Sequence, residues 1–155
     1  MKRYGPLIAV PDALAVGDPG RNHLRLTPDA VILREGVDNR GIVPWSSVES
    51  ILLDVPTTRF RLPGLVGTIV LGALTAVALS DLGVDPDDGA VTLTVDGEST
   101  TVPLSRHHVG GYWEPTVMGA HRLLAHLIET PEQRALLAHP EPLIDIAAQL
   151  ARESV

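Results

Sequence analysis

The chain has 155 residues, 45% of them apolar, and a net charge of −7. That is room for one domain with a core of its own, and acids that outnumber bases argue against nucleic acid as a partner. With no cysteine, disulfides, thiolate nucleophiles and cysteine-bound metal or cluster sites are excluded.

The opening residues, MKRYGPLIAVPDALAVG, imitate a signal peptide in Lys2, Arg3 and the apolar residues after them. Pro6, Pro11 and Asp12 interrupt that stretch before an apolar core of useful length forms, so an extended lead-in is expected. From His23 the pattern turns regular. HLRLT and AVILRE flank Pro28-Asp29 and read as two strands around a tight turn. GVDNRG, 36–41, is the next turn. IVPWSSVESILLDV then begins extended, pauses at Pro44-Trp45-Ser46-Ser47 and resumes as an apolar strand. Pro44 lacks an N–H for a ladder, which marks a strand start, an edge or a bulge.

Residues 62–80, LPGLVGTIVLGALTAVALS, carry no charged side chain. As a helix this run aligns Gly64, Thr68, Gly72 and Ala76 in one stripe of small residues, a candidate surface for self-association. Arg59 and Arg61 precede it and acidic residues follow it, a pattern that suits an oriented membrane span. Against a span stand its glycines and threonines and its length, about 28 Å at 1.5 Å per residue. A single crossing would also separate two strand-rich halves, each with little core of its own. Burial in protein is the preferred expectation, and a membrane-anchored protein is the alternative.

Asp85-Pro86-Asp87-Asp88-Gly89 reads as a solvated acidic loop, because the closing Glu of a calcium loop is missing. VTLTV and TTVPL follow as alternating strands around Asp96-Gly97-Glu98, with Val91, Leu93 and Val95 on one face and Thr92 and Thr94 on the other. After Gly110-Gly111, Pro115 suits a first helical turn, and Val117, Ala120, Leu124, Leu127 and Ile128 recur at helical spacing. Thr130-Pro131-Glu132-Gln133 has the form of a capping box, predicting a helix through Ala138. His139-Pro140-Glu141-Pro142 stops it, and 143–152 reads as a last amphipathic helix. The chain is thus one domain, strand-rich over 23–114 and helical over 115–152.

The order of these pieces resembles the bacterial pleckstrin-homology-like (PH-like) domains. The marks are a hairpin (LRLTPDAVILRE), a strand opening on Pro44-Trp45-Ser46, a later hairpin (VTLTVDGESTTVPL) and a C-terminal helix, over about 24–129. The resemblance implies an α+β fold, a bent antiparallel sheet or partial barrel plugged by a helix. It does not fix an activity, since such folds carry many unrelated functions. The first hairpin offers only Arg25 and Arg34, so no lipid headgroup site is carried over.

Ser105 to Glu114 is the densest polar and aromatic stretch. Arg106, His107, His108, Tyr112 and Trp113 are the candidate ligand-binding residues, with the aromatics as walls and Arg106 or His108 gripping an anion. The competing reading is a sheet-to-helix junction in which the aromatics fill a gap. His107 and His108 point opposite ways if extended, and His121 and His126 miss the i, i+4 spacing of a ligand pair, so no metal or cofactor is expected. No G-x-S-x-G elbow and no phosphate-cradling loop occur.

The expected function is a non-enzymatic binding or assembly module. Its partner would be another protein or a second copy in a homo-oligomer, with no nucleic acid and with any small-molecule ligand unknown. The cytoplasm is its expected location, with membrane association as the alternative. A small histidine-dependent hydrolase or metal-binding enzyme is a further alternative.

Overall fold

A computed structural model describes residues 2–58, 89–106 and 111–153. It is an α+β structure built on bent antiparallel sheet that does not close into a barrel among the described residues. Six strands make the first sheet in chain order: β1 (Arg3–Tyr4), β2 (Leu7–Val10), β3 (Ala13–Gly17), β4 (Asn22–Leu26), β5 (Ala30–Glu35) and β6 (Asp38–Pro44). The expected hairpin is β4–β5, closed by Thr27, whose N–H and hydroxyl both donate to the Ala30 carbonyl.

The lead-in departs from expectation. Residues 2–17 are more than an extended lead-in: they supply β1 to β3 of the first sheet. Along β2 and β3 the side chains alternate between two buried faces: Leu7, Ala9, Leu14 and Val16 join the main core, while Ile8, Val10, Ala13 and Ala15 form a second cluster. Pro6, Pro11 and Asp12, which end the resemblance to a signal peptide, are the turn residues of this meander. Asp12 takes a left-handed backbone (φ 60°) at the β2–β3 turn.

Pro44-Trp45-Ser46 is the corner between two sheets. Pro44 ends β6, residues Trp45–Ser47 form one 3-10 turn, and β7 (Val48–Asp54) starts the second sheet. The indole of Trp45, only 3% exposed, donates to the Thr27 carbonyl at 2.7 Å and so ties this corner to the β4–β5 turn. The chain continues through β8 (Thr57–Thr58), then β9 (Gly89–Val95) and β10 (Glu98–Leu104), and the second sheet runs β10-β9-β7. Asp96 (φ 50°) and Gly97 (φ 84°) form the two-residue hairpin turn, a type I′ geometry that needs two left-handed residues. Val91 and Leu93 point into the core. Thr92 and Thr94 face out, their hydroxyls bonded across to Thr101 and Ser99 at 2.9 Å.

Beyond β10, Ser105 bonds back to Asn22 and Asp18, which joins the end of the second sheet to the start of β4. Because β7 and β9 are paired neighbours, the chain between them leaves and re-enters the same end of one sheet. A single membrane crossing between those strands would part a formed ladder. No helix among the described residues is long and apolar enough to cross a membrane. The charge-free run 62–80, with Gly64, Thr68, Gly72 and Ala76, lies outside the described residues, as does the acidic loop up to Asp88.

β11 (Tyr112–Trp113) pairs parallel with β8 and leads into α1 (Glu114–Glu129), where Pro115 sits in the first turn as expected. Leu123, Leu124 and Leu127 of α1 are fully buried against the sheets. The capping box does not form: no side-chain cap bond is made, and Pro131–Ala138 is 3-10 rather than α-helical. Arg134 takes over the job of closing α1. It donates to the Leu127 and Ile128 carbonyls at 2.8 and 2.9 Å, and its guanidinium lies 5.0 Å from the Trp45 ring centre. The last helix, α2 (Glu141–Arg152), packs on α1 through Leu143, Ile144 and Ala147. Gly119 makes that approach possible, since a methyl group there would lie 2.6 Å from the Ala147 carbonyl oxygen.

Candidate functional site

Of the residues expected to bind a ligand, the structure describes Arg106, Tyr112 and Trp113. Arg106 is buried just beyond β10, at the seam with β4. Tyr112 is 2% exposed and belongs to the main core, with its N–H on the Pro56 carbonyl. Trp113 is partly exposed, paired in register with Thr58, and directly precedes α1. His107 and His108 lie outside the described residues. Tyr112 thus fills space at a sheet-to-helix junction and offers little surface as a pocket wall, while Glu114 sits in the first turn of α1, where its charge suits the helix dipole. Among the described residues, no group of three or more His, Asp or Glu side chains converges closely enough to hold a metal ion.

The structure instead presents a groove of about 180 Å³ between β7 and α1. Glu49, Ser50, Ile51 and Leu52 line one wall; His121, Ala125, Ile128 and Glu129 line the other. The helical residues fall at i, i+4, i+7 and i+8, which is one face of α1.

Strand geometry explains why this wall is chemically open. A two-residue hairpin closes on a hydrogen-bonded pair, here Val95 with Glu98, so Leu93 and Val91 also spend their backbone groups on β10. Thr94, Thr92 and Ala90 then bond to β7, through Ser50, Leu52 and Asp54. Ile51 and Leu53 are left with N–H and C=O directed away from the sheet, toward α1. His121 meets Leu53: its Nε2 lies 2.8 Å from the Leu53 nitrogen and 3.1 Å from the Leu53 oxygen. Among the described residues, no side chain comparable to His121 reaches Ile51 and no other strand lies on that side of β7.

Burial holds the His121 imidazole below its ordinary pKa, with the Leu53 backbone contact opposing that shift. A neutral ring can accept from the Leu53 N–H or donate to its carbonyl, according to which nitrogen carries the proton. A protonated ring can only donate. His121 therefore covers the β7 edge at Leu53 and leaves it uncovered by α1 at Ile51. His23 is also pushed below the ordinary value, first by burial; its Nδ1 donates to the Arg21 carbonyl at 3.0 Å while Arg34 and Arg25 add repulsion.

A second, more open cavity of about 260 Å³ lies between the β2–β3 turn and the start of α2, with Asp12, His139 and Glu141 at its rim. None of the described residues that line it is a buried polar side chain. Sequence reasoning missed the β7 groove because its signal is split. The helical spacing of His121, Ala125 and Ile128 is visible, but nothing in 48–54 announces an outer strand. Comparison with protein-family models, with curated proteins and with solved structures gives no match.

Proposed function

We propose that this chain is a non-enzymatic binding module of PH-like type that takes an extended segment of another polypeptide along the open edge of β7. The observation that carries the reading is the pair of outward-facing backbone groups on Ile51, opening into a groove whose far wall is a rigid helix. An edge strand with unpaired N–H and C=O is a template for another strand, and α1 limits what can approach. At about 180 Å³ the groove falls below the roughly 300 Å³ at which small-molecule pockets begin, so it suits one or two side chains of a peptide. The corner at Pro44-Trp45-Ser46 and the plugging C-terminal helix support the PH-like assignment; the three strands ahead of β4 would be additions to it.

The test is selection of a displayed random nonapeptide library on the full chain and on Ala125→Trp. Ala125 is exposed on the groove wall, so the larger side chain fills the groove without entering the core. Peptides that bind the parent, fail on Ala125→Trp and slow hydrogen exchange at the Ile51 amide support strand addition. Selected peptides indifferent to Ala125→Trp would remove it.

A further inference from the structure

We infer that the β7–α1 groove selects extended segments carrying a lysine or arginine, gripped between Glu49 and Glu129. This rests on the strand-addition reading and adds the chemistry of the occupant. Glu49 stands on the strand wall and Glu129 on the helix wall, and both carboxylates are exposed. Among the described residues, no lysine or arginine lines the groove. His121, which also lines the groove, is held toward its neutral form by burial, so it adds no opposing charge near neutral pH. Beyond the end of α1, Arg134 is engaged with the Leu127 and Ile128 carbonyls and the Trp45 ring.

The two walls also carry aliphatic surface, from Ile51, Leu52, Ala125 and Ile128. A long basic side chain matches that arrangement, because its methylene stem covers apolar surface while its head reaches carboxylates at the rim. Strand addition at Ile51 sets such a side chain in place: the backbone pairs with Ile51, and alternate residues of the segment turn toward the groove. The chain's net charge of −7 favours approach of a cationic partner in the same sense. An acidic segment would set three carboxylates around a small groove, so discrimination against it is built into the same pair.

The nonapeptide library is selected in parallel on the parent chain, on Ala125→Trp and on the double variant Glu49→Gln/Glu129→Gln. The inference expects parent-selected peptides to carry Lys or Arg at one fixed position. Replacing that residue by Ala should weaken binding about tenfold or more; the double variant should bind the basic and Ala peptides alike, and added salt should narrow the difference on the parent. Groove-dependent peptides without a basic preference would overturn the inference and leave the binding module standing. Absence of any peptide sensitive to Ala125→Trp would overturn both. Both glutamines are surface changes, and an unchanged urea midpoint confirms that the fold is intact.

Discussion

Gly119→Ala sets helix propensity against packing, and the structure decides which wins. In an exposed helix the change would stabilise by about 0.8–1 kcal/mol, since glycine is the poorer helix former. Gly119 is instead at the crossing of α1 and α2. The added methyl would lie 2.6 Å from the Ala147 carbonyl oxygen, 3.0 Å from the Tyr4 ring and 3.1 Å from the Ala151 methyl. The tightest of these is backbone in a neighbouring helix, so relief requires α2 to shift, not a side chain to rotate. Overpacking of this kind costs about 1–3 kcal/mol, and the gain in propensity offsets only part of it. Net destabilisation of roughly 0–2 kcal/mol is expected, read as a lower urea midpoint at unchanged m-value. Gly119→Leu should be far worse. The reasoning also predicts partial recovery by Ala151→Gly, which removes one of the three contacts. A Gly119→Ala protein more stable than the parent would refute the close crossing.

Trp45→Phe should cost about 1–3 kcal/mol, because the half-buried Thr27 carbonyl loses its donor while Arg134 keeps an aromatic face to lie on; a thermal melt reads it. Stability should fall as pH drops below about 6.5, since unfolded histidines take up protons there while burial holds folded His23 and His121 to lower values. The loss should level off below the folded values, and His121→Gln should flatten part of the curve in urea titrations from pH 7.5 to 5. Gly97→Ala should cost about 1–2 kcal/mol from backbone strain alone, since a methyl there meets nothing within 4 Å; Gly97→Asn should cost less, and equal costs would dispute the type I′ turn. On the proposed binding-module reading the full chain should leave the pellet in an alkaline carbonate wash; retention until detergent is added would favour the membrane-anchored alternative.

Local patterns in the sequence determined much of this fold. The β4–β5 and β9–β10 hairpins, the pause at Trp45 and the start of α1 follow from turn chemistry and periodicity within a few residues, which act before any distant contact forms. Tertiary structure decided the rest. The lead-in became β1 to β3 because the sheet could bury both of its faces, a gain no seventeen-residue window displays. The 131–138 segment is 3-10 and its cap unused, because Arg134 is drawn to the end of α1 and the face of Trp45. Tyr112 lies in the core for a similar reason: side-chain type marks an aromatic as useful but not where the packing needs it. The β7 edge is the furthest from the sequence. Whether Ile51 pairs with a strand or faces a groove depends on which strands lie beside it, and that is settled by residues forty and seventy positions away.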